Sequence, residues 1–392
     1  MSFSRRSMLL AGAGLALRAW ADDPRLGAEV LAAPDFTKLR ETNPYVIGVR
    51  PHRKGGVRVE LDQAFLEVSG GKKYVIHNYG HGGAGITLSF GTASVTADLV
   101  EEVVKKNDLL PQFAVIGTGV AGLTTALELH RRFPKRPITV YAKDLDVKNT
   151  TSFIAGGQFE PSGIWHEYDG GDDRKKILGG YLRRARERIV QLAGTDLGKS
   201  YGIETHRNFT LDHENKALDE FTPFDVVPPA KRGRLPFEKL DVEGKEYANW
   251  LLNPTMLLPG IRATLDAAKV PFVARTFATQ GELVVMKENV IVNCTGYGAK
   301  KFFDDDDVVP QRGHLVVLQK TDPKQSWFFS GGCLNNTVAY AFCRQNDIVL
   351  GGTVISGKDS LEHTKKDDAV FKQIVANLQH VFEGNVSDCK PG

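Results

Sequence analysis

Residues 113–133 read FAVIGTGVAGLTTALELHRRF, and no other stretch restricts what the chain can fold into as strongly. Phe113 to Ile116 is a short apolar run with the character of a buried parallel strand. It passes directly into Gly117-x-Gly119-x-x-Gly122. From there Leu123, Ala126, Leu127 and His130 share one face at a helical period, so a helix opens inside the glycine motif. Gly117 permits the tight turn, Gly119 lets the backbone approach a diphosphate, and Gly122 lets helix and strand pack closely. The phosphate sits at the positive helix end. A second strand, Ile138 to Ala142, follows and begins a βαβ unit. A bare GxGxxG is weak evidence, because glycine turns are common. Between a strand and a helix, with another strand about 20 residues on, it reads as a dinucleotide-binding turn.

At 392 residues the chain is long enough for two or three domains. Its net charge of +3 owes everything to Arg5, Arg6 and Arg18, in a 21-residue start that carries no acid; without that start 47 basic residues face 47 acidic ones. Nothing in that balance favours nucleic acid or an anionic membrane as partner. Residues 1–21 have the form of a removable export signal: Ser4-Arg5-Arg6-Ser7-Met8-Leu9 has the twin-arginine pattern, a short apolar core follows, and Ala19-Trp20-Ala21 is a small-x-small cleavage site. An exported, periplasmic or extracellular protein is expected, and a cytoplasmic one if the start is merely basic. The apolar core is too short for a stable membrane anchor. Cys294, Cys333, Cys343 and Cys389 form no CxxC and no zinc spacing. Cys294 follows an apolar strand and reads as a buried thiol; Cys333 and Cys343 could pair in an oxidising compartment.

Residues 22–44 form a polar lead without clear period. Tyr45 to Glu60 follows, with four basic residues, Arg50, Arg53, Lys54 and Arg58, within nine positions and interleaved with Pro and Gly; it reads either as a solvated basic turn between two strands or as an arginine held rigid by Pro51 for a carboxylate. Tyr74 to Tyr79 is a strand ending in a second glycine-rich turn, Gly80 to Gly85, and an Ala-rich helix to about Lys106. His77 and His81 have HxxxH spacing, but the glycine between them opposes the helix a metal pair needs. Excess glycine there suggests backbone pressed against a flat or anionic ligand. After the Ile138 strand the usual ribose-binding acid is displaced, with Lys143 first and Asp144 next. The run Thr150-Thr151-Ser152, with Ala155-Gly156-Gly157-Gln158 behind it, looks like a second loop on the cofactor. Residues 165–250 read as a long basic helix with Arg183, Arg184, Arg186 and Arg188 on a solvated face, then polar loops including Lys231–Arg234. A helix is expected at 257–269, and strands at 272–275, 290–293, 308–319 and 348–353. Asp304 to Asp307 reads as a solvated turn, and a last helix spans about 368–382.

Taken together these blocks resemble the D-amino acid oxidases. The resemblance rests on the GxGxxG turn, Thr150-Thr-Ser with Ala-Gly-Gly, Val292-Asn-Cys-Thr-Gly296, Pro310-Gln-Arg312-Gly313, Leu350-Gly-Gly352, Gly48-Val-Arg50-Pro51 and above all His77-Asn-Tyr-Gly-His-Gly-Gly83. It covers most of the chain from Tyr45 onward, but in an unusual order. The arginine and HNYGHGG segment, which closes the chain in that family, here precedes the GxGxxG strand, as in a circular permutation.

The resemblance implies an α/β protein. A permuted, discontinuous Rossmann-like FAD-binding domain (57–161 and 253–314) joins a mixed-sheet α+β substrate domain (45–56, 162–252 and 315–392). It implies non-covalent FAD, and oxidation of a D-amino acid by molecular oxygen to a 2-oxo acid, ammonia and hydrogen peroxide; a homodimer is one assembly open to it. Arg50 matches the family's carboxylate-binding arginine, Tyr340 its hydroxyl partner, and Gly83 the carbonyl that receives the amine. Cofactor contacts fall on Gly117, Gly119, Val120, Ala121 and Gly122; on Lys143, Asp144, Thr150, Thr151, Ser152, Gly157 and Gln158; on Phe277, Thr295 and Arg58; and on Gly82, Gly85, Ile86 and Thr87. No metal is expected. Two departures open the pocket: Asn336 stands where the family has a second tyrosine, and Ser162 where it has a lid aromatic. A quinone- or acceptor-linked D-amino acid dehydrogenase and a flavin-binding protein without turnover are the alternatives.

Overall fold

The computed structural model describes residues 26–27, 29–211, 226–334 and 337–386; residues 1–21, read above as an export signal, lie outside them. Two sheets organise the chain. The first has six strands, in the order β2 (Arg58–Leu61), β3 (Tyr74–Tyr79), β10 (Val290–Asn293), β4 (Phe113–Ile116), β5 (Ile138–Ala142) and β9 (Phe272–Ala274). All but the edge strand β2 run parallel. Parallel strands are covered on both faces and therefore read as unbroken apolar runs. Val75, Ile76, Phe113 to Val115 and Val290 to Val292 are fully or almost fully buried.

On one face lie α1 (Gly85–Lys106), α2 (Val120–Arg132), α3 (Asp172–Leu192) and α4 (Pro254–Ala267), which bury Leu88, Leu123, Leu182 and Leu257 with the strands. Phe65, Tyr141, Phe302 and Phe303 cover the other face.

The second sheet has nine strands, in the order β1 (Tyr45–Arg53), β11 (Val308–Gln319), β14 (Asp347–Gly351), β13 (Thr337–Cys343), β12 (Trp327–Leu334), β6 (Ile203–Leu211), β8 (Glu243–Leu252) and β7 (Lys231–Arg234), with β15 (Ile355–Ser356) on β11. It is antiparallel except where β12 meets β6. One face carries α5 (Lys365–Phe382), whose Phe371, Ile374, Leu378 and Val381 pack on Val316, Leu318, Trp327 and Phe329. Leu26 is buried in the same cluster, with Leu31, Phe36 and Leu39 against it. The lead segment, polar in sequence, thus supplies five apolar side chains among its described residues to the core, Ala33 included.

Several expectations need correction. Residues 203–252 hold β6, β7 and β8 rather than polar loops, and Lys231–Arg234 is an edge strand. Their apolar alternation is broken by polar residues that are themselves buried (His206, Asn208, Thr210 and Asn249), so no period shows in the sequence. Arg184 is partly exposed and pairs with Asp98, and Arg186 lies over the Trp250 ring at 5.8 Å. Asp305, read as part of a solvated turn, is buried and accepts hydrogen bonds from Tyr79 and Arg53. The expected domain boundary at 314 falls inside β11, all of which belongs to the nine-stranded sheet.

Helices α1 and α3 touch through their backbones. A Cβ on Gly91 would lie 1.9 Å from the Tyr181 carbonyl oxygen and 3.1 Å from the Ala185 nitrogen. Gly91→Ala should therefore lower the free energy of unfolding by about 3 kcal/mol, read as an earlier urea midpoint with unchanged slope. Gly180→Ala is the control: it sits in α3 with nothing within 4 Å of its added methyl, and should stabilise by about 0.5–1 kcal/mol.

Candidate active site

The parallel strands of the first sheet end at one edge, and two glycine turns leave that edge as helices. After β4, Gly117 takes φ 125°, and a Cβ there would sit 2.4 Å from the Cys294 carbonyl oxygen. The turn is closed to any side chain, and Gly119 becomes the N-cap of α2 with no side-chain cap. One donor is engaged: Val120 N–H donates to Ser152 Oγ at 3.1 Å. After β3, Gly80 and Gly82 take φ 87° and 56°, a single 3-10 turn follows, and α1 opens at Gly85, again without a side-chain cap. Two positive helix ends with unfilled donors thus meet at one place.

They face a cavity of about 1460 Å³ lined from both sheets. Gly117, Gly119, Val120 and Ala121 line it, as do Lys143, Asp144, Thr150, Thr151, Ser152, Gly157 and Gln158. So do Phe277, Thr295, Gly82, Gly85, Ile86, Thr87, Arg50, Gly83 and Tyr340. Two expected residues do not. Gly122 faces the strand, where a Cβ would lie 2.0 Å from the Gly117 carbonyl oxygen; it allows the close approach of helix and turn and does not line the cavity. Arg58 points away, donating to Tyr79 Oη at 2.9 Å and Glu60 at 2.7 Å. Arginine beside a cofactor-binding segment is an ambiguous signal, and a neighbouring acid and tyrosine decide it here. Arg275 lines the cavity without having been expected. Its N–H donates to the Ala142 carbonyl at 2.8 Å, and its guanidinium lies 4.4 Å from the Phe277 ring. The only sequence hint was a cation at a strand end.

The side chains of the HNYGHGG run point into the protein while its backbone forms the floor. His77 Nε2 lies 2.9 Å from Asp62, and Asn78 donates to Thr125 at 3.0 Å. Tyr79 donates to Asp305, and His81 Nε2 is 3.0 Å from Thr92 Oγ1. Burial pushes the His81 imidazole down to about 4. Thr87 clamps the segment above: its hydroxyl donates to the Glu160 carbonyl at 2.8 Å and accepts the Glu160 N–H at 2.9 Å. Ser162 lies against Gly83, whose Cβ would meet the Ser162 carbonyl oxygen at 2.9 Å. Asn336 lies outside the described residues.

From the second sheet come Arg50 and Tyr340. A Cβ on Gly313, across the β1–β11 pair, would lie 2.6–2.8 Å from the Arg50 guanidinium, which therefore rests flat on a bare backbone. Arg50 donates to the Thr353 carbonyl at 3.0 Å. Gly83 sits along its stem, 3.6 Å from Cδ to a Cβ placed there. Tyr340 is opposite Gly351, where a Cβ would be 2.3 Å from its hydroxyl, and its ring stacks on Phe342 with centroids 4.3 Å apart. Burial raises the Tyr340 pKa, opposed by the Arg50 charge and a hydrogen bond from it. A guanidinium and a neutral phenol thus stand side by side, each with room made by a glycine. Cys294 and Cys343 are buried free thiols, both pushed up to about 12 by burial, and so are inert.

A glycine-lined floor, two uncapped helix ends and a cavity of this size define a nucleotide-cofactor oxidoreductase site. The chain belongs to the family described as DAO, FAD dependent oxidoreductase, whose model matches residues 112–391. A D-amino acid oxidase from Dugesia ryukyuensis is 43% identical over 287 residues, covering 69% of this chain and 77% of the relative. Human D-aspartate oxidase is 43% identical over 257 residues (62% and 68%), and D-aspartate oxidase 2 of Caenorhabditis briggsae 26% over 276 (66% and 75%). A solved glycine oxidase from Bacillus cereus aligns over 69% of this chain and 77% of its own with TM-score 0.49 and 11% identity.

The cofactor is FAD, and the cavity fits it: the uncapped α2 end suits a diphosphate, and the Lys143–Asp144 and Arg275–Phe277 strand ends suit an adenosine. Gly122→Ala should cut FAD affinity by roughly tenfold or more, because the methyl must displace the Gly117 carbonyl. The flavin-to-protein absorbance ratio after gel filtration reads it. Separately, the depressed His81 pKa makes the unfolded chain bind the extra proton between pH 6.5 and 4, so folding stability falls with pH there. His81 alone should remove about 2 kcal/mol between pH 7 and pH 5, and urea unfolding of His81→Asn at both pH values should show that part of the slope gone.

Proposed function

We propose that the protein oxidatively deaminates D-amino acids, with molecular oxygen as the final electron acceptor. The observation that carries this reading is the Arg50–Tyr340 pair. A planar cation resting on Gly313 and a hydroxyl fitted against Gly351 form a rigid, two-pronged holder for a carboxylate, inside the cavity that takes FAD. FAD, when bound, supplies the two-electron acceptor. The protein's part is orientation. Arg50 pairs with the substrate carboxylate, the Tyr340 hydroxyl donates a hydrogen bond to the same group, and the Gly83 carbonyl receives the amine, so that one hydrogen of Cα is presented in a single direction. No side chain need remove a proton if the amine arrives neutral. The overall change takes the amino acid, oxygen and water to the 2-oxo acid, ammonia and hydrogen peroxide.

Substrate choice follows from the walls beside Tyr340. Phe342 stacks on it, Ser330 is its cross-strand partner on β12, and the Leu315 side chain shares with it the space over Gly351. Among the described lining residues the other lysine and arginine, Lys143 and Arg275, stand at the ends of β5 and β9 in the first sheet. We therefore infer a neutral side chain, and D-alanine or D-methionine over D-aspartate. We further infer a circularly permuted chain: residues 45–106 supply β1, β2, β3 and α1, and all precede the matched stretch at residue 112. Export through the twin-arginine pattern of residues 1–21 completes the proposal; detection in the periplasmic fraction, lost in Arg5→Lys/Arg6→Lys, checks it.

Anaerobic titration with D-alanine, D-methionine and D-aspartate should bleach the flavin with the first two, not with L-isomers, and air should restore colour with release of peroxide. Colour that bleaches but resists air would make the protein an acceptor-linked dehydrogenase. No bleaching with a broad panel of D-amino acids would end the catalytic reading. Arg50→Leu should raise KM by about 100-fold or more, as expected from losing a charged bidentate contact, with FAD still bound.

A further inference from the structure

The carboxylate holder is itself held from the far side of its sheet. Along β11 the side chains alternate. Gln311, Gly313 and Leu315 line the cavity, while Arg312 and His314 project to the opposite face, against α5. There the Asp367 carboxylate, third residue of α5 and half of its capping box with Thr364, accepts from Arg312 Nη1 at 2.5 Å and Nη2 at 3.1 Å. The same carboxylate lies 2.8 Å from His314 Nε2. The other imidazole nitrogen, Nδ1, is 3.1 Å from Thr353 Oγ1, which also accepts the His314 backbone N–H at 2.9 Å. Thr353 is the residue whose carbonyl accepts from Arg50. Asp367, His314 and Arg312 are all buried, and the Phe371 ring meets the imidazole edge-on at 5.3 Å.

An unbroken line of hydrogen bonds therefore runs from the start of α5 to the guanidinium in the cavity. Thr353 lies just past the end of β14, after Gly352 at φ 142°, in a stretch with no strand ladder to fix it. A backbone carbonyl on such a loop is a poor anchor unless its side chain is tied down. His314 ties it, and Asp367 fixes the tilt of His314. The arrangement resembles a carboxylate–imidazole orienting pair, but its target is a threonine and its product is a fixed arginine.

We propose that His314, oriented by Asp367, is a positioning residue that sets the Arg50 guanidinium for its carboxylate ligand through Thr353. This rests on the carboxylate-binding role given to Arg50 above. It predicts that loosening the tether costs ligand binding and not cofactor binding or fold.

Four proteins separate the outcomes: wild type, His314→Ala, Thr353→Val and the double variant. Each is prepared with FAD and titrated calorimetrically with propionate, a carboxylate with no amine to oxidise. His314→Ala and Thr353→Val should each weaken propionate by roughly tenfold, the worth of one buried hydrogen bond to a charged group's anchor, and the double variant no more than either alone. KM for a turned-over D-amino acid should rise by the same factor while kcat stays within about twofold. His314→Asn, whose amide reaches the Nδ1 position, should restore most of the affinity. Unchanged propionate affinity in both single variants, additive losses in the double variant, or wild type that does not bind propionate would each overturn the proposal. Wild type that binds propionate tether-dependently but oxidises no D-amino acid would overturn the assigned reaction and leave the positioning role standing.

Discussion

The parallel pairing of one four-residue strand sets the geometry of the site. β10 lies between β3 and β4, with Val290 opposite both Tyr74 and Phe113 and Asn293 opposite both His77 and Ile116. Because the three strands run the same way in register, their ends coincide at one edge, and the turns that follow them are forced together. That juxtaposition brings the starts of α1 and α2 to one cavity and turns two separate helix dipoles into a single electropositive site. A slip of one residue would move every side chain of β10 to the other face, and Val290, Ile291 and Val292 are completely buried on a sheet covered from both sides. Both faces being apolar, the register is held by the close packing on each side of the strand.

Glycine does a second kind of work in the other sheet. Gly313 and Gly351 have ordinary extended backbones; what they contribute is the missing Cβ. Arg50 and Tyr340 lie in the space so left, which fixes a charged and a polar group against the sheet at little cost in side-chain freedom. The same strand that carries Gly313 carries Arg312 and His314 on its reverse, so the two-residue period of β11 couples the cavity to the capping box of α5. A strand with one wet and one buried face would normally separate function from packing. Here both faces serve the same guanidinium.

The buried polar residues explain where the chain conceals its architecture. Asp305 sits in a run of four acids, yet anchors Tyr79 and Arg53 beneath the first sheet. β6 and β8 bury His206, Asn208, Thr210 and Asn249, and strands of this composition carry no alternation. Arg58 was drawn toward the cofactor by its neighbourhood in the sequence, and its side chain goes instead to Tyr79 and Glu60. Asp305 finds Tyr79 and Arg53, Arg58 finds Tyr79, and Asn208 finds Gln158, all well separated along the chain, and a linear reading has no means to supply such partners.

What the sequence determined by itself was whatever depends on neighbours in the chain. The strand–glycine–helix unit at 113–132, the second glycine turn at 80–85, the strands at 290–293 and 308–319 and the helix to Lys106 all follow from local period and backbone freedom. The glycine turns and the HNYGHGG and Gly48–Pro51 motifs pointed further, by resemblance, to FAD and to the pairing of Arg50 with Tyr340. Tertiary structure alone decided that Gly122 packs outside the cavity lining, that Arg275 joins the cavity, and that β1 lies beside β11 with Arg50 over Gly313. It alone assembled Asp367, His314 and Thr353 behind them. The reason is separation: residues 50, 313, 340, 353 and 367 come from four strands or their ends and one helix, and only closure of the nine-stranded sheet under α5 brings their side chains within hydrogen-bonding reach.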